Sequence, residues 1–201
     1  NDVATISGSI TEQEGAYSIK KWDTGRLILS GQSSFSGKTY VADGSLRLSS
    51  AAGNALYNGI SGGEIVIGHE VNSTAWVFPD VWAQLEFAQD EQLNQNVDIV
   101  FDSPYPYAYM TLRGTSQTVG NLKTLSNPQY AVLQNVEAAV TDGGVGDATL
   151  KFYQTDNVEF NGYLRDAFEA SNGVSGNDTP TSGGTKPALR LEKYGTGSFI
   201  L

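Results

Sequence analysis

The only histidine of this 201-residue chain, His69, stands beside Glu70. A neighbouring His-Glu pair could orient a general base. A lone histidine, though, brings no second metal ligand and no nucleophile beside it, so a turn residue is the plainer reading. The acids are spread rather than clustered, at Glu12 and Glu14, Asp90 and Glu91, Asp98 and Asp102, Asp142 and Asp147, Asp156 and Glu159. Cleaving a glycosidic bond takes two carboxylates on one face, about 5 Å apart or about 6.5 to 9.5 Å apart according to mechanism. Asp98 and Asp102 share strand parity around Ile99-Val100-Phe101 and are the best candidate pair, against the alternative that outward acids only keep a surface soluble.

Three tyrosines alternate in Ser103-Pro104-Tyr105-Pro106-Tyr107-Ala108-Tyr109, so an extended segment presents Tyr105, Tyr107 and Tyr109 on one side. Exposed, they form a stacking platform for sugar rings or a contact surface; packed over a neighbouring strand, they are ordinary core, with the prolines marking exclusion from a sheet interior. Trp76 and Trp82, flanking Phe78-Pro79-Asp80, allow the same two readings. Gly143-Gly144-Val145-Gly146-Asp147 is similar to a calcium β-roll nonapeptide, but its Asp comes one residue early and has no tandem copy. No cofactor is expected, and calcium held by backbone oxygens and Asp is the one ion the composition leaves open. Asn72-Ser73-Thr74 and Asn177-Asp178-Thr179 have the form of glycosylation acceptors.

What must position these groups is set by composition. The chain has no cysteine, which excludes disulfides, thiolate metal sites and a thiol nucleophile. Its 22 acids against 12 bases give a net charge of −10, which repels nucleic acid and anionic membrane surfaces. No apolar run approaches the roughly eighteen residues of a membrane span. The start at Asn1, without a basic, apolar leader, reads as a processed or excised segment. Twenty-three glycines among abundant Ser, Thr and Asn are the composition of many short strands joined by turns.

Apolar pairs at period two recur as Leu27/Leu29, Leu46/Leu48, Ile65/Ile67 and Leu85/Phe87, their first members 19, 19 and 20 residues apart, and Gly25, Gly44 and Gly63 precede the first three by two positions. A fixed beat near twenty residues predicts a parallel β-helix in which Leu27, Leu46, Ile65 and Leu85 form one column, rungs about 4.8 Å apart. An antiparallel sandwich or jelly roll is the alternative. After residue 90 the beat loosens, and residues 169–186 read as a flexible Gly/Ser loop.

The two ends of the chain share a piece. Residues 19–29 match residues 191–201 at an offset of 172, with Lys21/Lys193, Thr24/Thr196, Gly25/Gly197, Ile28/Ile200 and Leu29/Leu201 identical. Ile6-Ser7-Gly8-Ser9-Ile10 matches Phe160-Asn161-Gly162-Tyr163-Leu164 at an offset of 154, the difference of 18 lying in the Gly/Ser loop. The chain therefore divides into one long unit, about 1–172, and the opening of a second, about 173–201. Gly8-Ser9-Ile10 and the run from Lys20 to Leu48 resemble the autotransporter-associated β-strand repeat, with Asp23, Ser33 and Phe35 departing from its pattern; Leu112 to Leu122, with Gly114, Gln117, Thr118 and Gly120, resembles a later stretch of such passengers. That resemblance implies a right-handed parallel β-helix in a secreted or cell-surface bacterial protein.

The sequence thus points to an all-β, single-domain β-helix acting as a non-enzymatic structural or adhesive module. The alternative is a carbohydrate-binding or polysaccharide-cleaving domain, a lyase or glycoside hydrolase. Neither end reads as capped, so the expected partner is a second copy or neighbouring repeats, meeting through the end strands at Ile6, Ile10, Phe199, Ile200 and Leu201 and building a fibre. Surface glycans are the further candidate partner.

Overall fold

The structure, a computed structural model, describes residues 2–68, 82–103, 107–135, 146–166 and 188–201. His69 and Glu70, Trp76, Tyr105, Gly143 to Val145, both glycosylation-type triplets and the 169–186 loop lie outside the described residues.

Short β-rich runs between Gly-containing turns give strands numbered here along the chain. Sheet I has seven, in the order β1 (Val3–Ile6), β3 (Arg26–Leu29), β5 (Gly44–Leu48), β7 (Ala83–Phe87), β9 (Ala108–Thr111), β12 (Ala131–Gln134) and β15 (Tyr163–Arg165). Sheet II has five: β2 (Ile19–Lys21), β4 (Thr39–Val41), β6 (Gly63–Ile67), β8 (Val97–Asp102) and β11 (Leu122–Ser126). Sheet III is β10 (Ser116–Val119), β13 (Ala148–Tyr153) and β16 (Leu189–Tyr194), and sheet IV pairs β14 (Val158–Glu159) with β17 (Phe199–Ile200). The only described helix is a three-residue 3-10 turn, Pro128–Tyr130.

Every described strand pair is parallel. That excludes the antiparallel sandwich and jelly roll, because hairpin-linked neighbours have to run in opposite directions. Each pass of the chain leaves sheet I, lays a strand in another sheet, and returns to sheet I beside the strand it left. Where sheet III has no strand in the early passes, single backbone bonds mark a third line of contact: Ser34 N–H to Ile10 O, Ser33 N–H to Ala55 O, Asn54 N–H to Glu91 O and Glu91 N–H to Ser116 O.

The register corrects the nineteen-residue beat. Leu27 pairs with Leu46, and Leu46 with Leu85, 39 residues on, then Leu85 with Met110. Ile65 belongs to sheet II, where it stands between Thr39 and Ile99. Of the three intervals of 19, 19 and 20 residues, one is a full pass and the other two run between sheets I and II.

Two apolar columns line the inner face of sheet I, Leu27-Leu46-Leu85-Met110-Leu133 and Leu29-Leu48-Phe87. They face Val41-Ile67-Phe101 and Ile65-Ile99-Leu122 of sheet II in one continuous core. Apart from Leu27, half-buried near the stack's end, these side chains are fully or almost fully removed from water.

Corners carry the polar load. Gln92, wholly buried, takes the Ser50 N–H on Oε1 at 2.6 Å and gives Nε2 to the carbonyls of Ser50 and Asp90, while its own N–H donates to Gln117 Oε1 at 2.8 Å. At another corner Asn135 accepts Gly114 N–H and donates to the Gly146 and Ala188 carbonyls. Asn121 bonds Asp98 of the preceding pass and accepts the N–H groups of Thr155 and Asp156 from the following one. These amides satisfy main-chain groups that no ladder reaches, which a buried backbone requires.

Gly44 shows how tight a corner is. Its φ of +64° is in the left-handed region, and a Cβ there would stand 2.4 Å from the Asp23 carbonyl oxygen and 2.5 Å from that of Gly25. Gly44→Ala is therefore expected to cost about 1–3 kcal/mol from backbone strain alone, more with the clash, read as a lower urea midpoint. Gly59→Ala, whose Cβ would meet nothing within 4 Å, should show only the conformational part.

Candidate functional site

The outer face of sheet I carries two columns of side chains paired from strand to strand. Strand parity sends Arg26, Ser45, Gln84, Tyr109, Val132 and Tyr163 outward in one paired column. Ile28, Arg47, Glu86, Thr111, Gln134 and Arg165 form the other. Glu86 is fully buried although it lies on the outer face of sheet I. Its Oε1 accepts Ser45 Oγ at 2.7 Å and Arg26 Nη2 at 3.2 Å, and its Oε2 accepts Arg47 Nε at 2.8 Å and Nη2 at 2.6 Å. Burial pushes this carboxyl up, but the Ser45 hydroxyl and the Arg47 and Arg26 guanidiniums outweigh it and hold the group below the usual carboxylate range. Next along, Thr111 Oγ1 takes amide protons from Gln84 at 3.0 Å and Gln134 at 3.1 Å. This strip spends its polar capacity bonding one pass to the next.

Of the predicted tyrosine face, Tyr107 and Tyr109 are described. Their rings stack on each other at 5.7 Å, and Tyr130 meets Tyr107 edge-on at 5.5 Å. Tyr109 is half-buried, and burial, opposed by Arg165 and reinforced by Tyr107, raises its hydroxyl above the ordinary phenol range. Further out, Tyr163 is half exposed, with Arg165 5.8 Å from its ring centroid. The rings of Tyr107, Tyr109 and Tyr130 make an aromatic cluster turned partly toward one another. Trp82 is half exposed.

The proposed acid pair fails on distance. Asp98 and Asp102 do share a face of β8, but four residues of extended strand at about 3.3 Å each place them about 13 Å apart, beyond the range for either glycosidase geometry. Each is also engaged with the following pass: Asp98 accepts the Asn121 N–H at 2.8 Å and its amide Nδ2, and Asp102 accepts the Ser126 hydroxyl. Asp147, from the glycine-rich run, accepts Ala188 N–H at 2.9 Å and pairs with Arg190 at 2.8 Å, and these two partners hold its carboxyl low. Among the described residues no group of three or more His, Cys, Asp or Glu is gathered to hold a metal ion, and no helix is long and apolar enough to cross a membrane.

The predicted assembly residues divide in two. Ile6, Ile200 and Leu201 are exposed at the two ends of the stack, whereas Ile10 and Phe199 pack against the core, Phe199 with its ring centroid 4.6 Å from that of Phe152. Val3 at one end and Tyr163, Leu164 and Tyr194 at the other are likewise open. Backbone edges of β1 and β2 at one end, and of β15, β16 and β17 at the other, have a strand neighbour on one side only.

Reading by residue type missed Glu86, the corner amides Gln92 and Asn135, and the buried Gln154, whose Oε1 accepts the Leu122 N–H at 3.2 Å; all look like solvated surface until the pass-to-pass register is known. Lys21 and Lys193 stood out only as identities. In the structure, Lys21 Nζ donates to the carbonyls of Trp22, Asp23 and Asp43, and Lys193 Nζ to those of Tyr194 and Gly195. Burial lowers the Lys21 ammonium, opposed by the carboxylates of Asp43 and Asp23. Comparison with protein-family models, with curated proteins and with solved structures finds no match for this chain.

Proposed function

We propose that this chain is a non-enzymatic structural segment: a right-handed parallel β-helix of an extracellular or bacterial-surface protein, whose work is length, rigidity and end-to-end continuation. The single observation behind this reading is where its polar groups go. Glu86, Gln92, Asp98, Asn121 and Asn135 all bond another pass of the chain, Glu86 reaching back to Ser45 and Arg47 and the others reaching forward, so the residues that might have done chemistry instead hold rung to rung. Parallel strands with crossovers of this kind are right-handed in almost all proteins, hence the handedness. The resemblance to autotransporter-associated repeats favours the same location and role.

End-to-end contact through strand addition is the expected partner mode, since each end offers a parallel edge flanked by exposed apolar residues. Light scattering and electron microscopy at rising concentration test it. Rods lengthening in steps of about 34 Å, seven rungs of about 4.8 Å, are expected. Removal of residues 190–201 should stop the growth. A monomer at every concentration would overturn self-assembly.

A carbohydrate-binding reading is favoured by one observation, the outward Tyr107-Tyr109 stack beside Tyr163 and Arg165. Selective glycan-array binding lost in Tyr107→Ala would establish it.

A further inference from the structure

We infer that the open edge of the last pass, β15 to β17, is a docking edge for a polypeptide pass patterned like residues 30–48, seated one side round the stack from where those residues sit in the early passes. This rests on the coiled reading proposed above.

Two offsets relate the chain's ends, 154 for the earlier piece and 172 for the later, and the strand pairing obeys both. Val158 pairs with Phe199 and Glu159 with Ile200. Subtracting 154 from the first of each pair and 172 from the second gives Ala4 with Leu27 and Thr5 with Ile28, the observed register of β1 on β3.

Local contacts repeat in the same way. A Cβ on Gly25 would meet the carbonyl oxygen of Asp2 at 3.0 Å, and one on Gly197 would meet that of Asp156, the residue 154 positions on from Asp2, at 2.2 Å. Asp23 and Gly195 both adopt left-handed φ, 75° and 80°. Lys21 and Lys193 each bind the two carbonyls that follow them.

Yet equivalent strands occupy different sides. β1 and β3 belong to sheet I, whereas β14 and β17 form sheet IV, where β14 continues the side of sheet II: Phe160 packs edge-on against Phe101, and Asn161 N–H donates to Thr124 of β11. β2 is in sheet II, its counterpart β16 in sheet III. Ser9 to Thr11, on the third line of contact, correspond to β15 of sheet I. All these correspondences shift by the same single side. The unit therefore stops one side short of six complete turns, and a further unit would be rotated by a third of a turn.

In the early passes β2 and β3 are covered by β4 and β5, with Ile19 opposite Thr39 and Ile28 opposite Arg47. Carried forward by 172, the same cover on the last pass puts Thr39 of a repeated segment opposite Leu191 and Arg47 opposite Ile200. The exposed Ile200 and Leu201 are the positions that Ile28 and Leu29 fill under that cover.

The test extends the full chain after Leu201 with a second copy of residues 30–48. Native cysteines are absent, so paired substitutions report cleanly. With the appended copy of Arg47 replaced by cysteine, Ile200→Cys should give an intramolecular disulfide in most chains and Arg165→Cys should not. Amides of β16 and β17 should exchange at least about tenfold more slowly than in the parent. Crosslinking to Arg165→Cys instead would mean docking without rotation and would overturn the inference, as would intermolecular disulfides or no disulfide at either site. Lys20→Cys with Tyr40→Cys in the unextended chain is the control. If that pair closes and the appended one does not, the inference fails while the coiled reading stands. If neither closes, both fall.

Discussion

Leu85→Ala lowers the free energy of unfolding by about 2–5 kcal/mol while leaving the denaturant m-value unchanged. The side chain has no exposure, with Leu46 opposite it on one neighbouring strand and Met110 on the other. Strand ladders on both sides fix the rung spacing near 4.8 Å, so the neighbouring passes cannot settle into the space left, and the cavity cost adds to the lost transfer energy. Leu27→Ala is the internal comparison. Leu27 lies in the same column but near its end and only half-buried, so about half that loss is expected. Equal losses at the two sites, measured by urea unfolding, would contradict the column.

Glu86→Ala is expected to cost about 3–5 kcal/mol, because it strands two guanidiniums, and the Ser45 hydroxyl, over a buried site built for a carboxylate. Partial exposure of Arg26 and Arg47 puts the figure toward the lower end. Acid should reveal the same group. Its folded-state pKa lies below the unfolded value, so its contribution is complete above the ordinary carboxylate range near 4.3 and is lost as pH falls through the lower, folded value. The stability gap between the parent and Glu86→Gln should accordingly narrow as pH falls below the ordinary carboxylate range. A gap independent of pH would show that the carboxylate is not charged in its pocket.

Much of this architecture can be read from the chain. Period-two apolar pairs, behind glycine turns for the first three, locate β3, β5, β6 and β7 with their inward residues, and the columnar stacking of Leu27, Leu46 and Leu85 follows from them. What spacing does not reveal is which sheet a strand joins. Ile65/Ile67 has the same pattern as Leu46/Leu48, and nineteen residues serve equally for a full pass or for half of a longer one. The site was less legible for a related reason. Glu86 reads as an ordinary outward acid between Leu85 and Phe87, and only the register that sets it against Arg47 makes it a buried ion-pair centre. Gln92 and Asn135 look like solvated loop residues because polarity alone does not distinguish an amide facing water from one facing stranded carbonyls. Asp98 and Asp102 erred in the other direction: shared parity was correct, but the reach of four extended residues already separated them too far for one reaction.

Cross-strand backbone NOEs on isotope-labelled protein test the stacking most directly. Contacts between the main chains of Leu46 and Leu85, and separately between Ile65 and Ile99, are the result expected. Main-chain contacts joining Leu46 to Ile65, or any pattern characteristic of antiparallel neighbours, would contradict it.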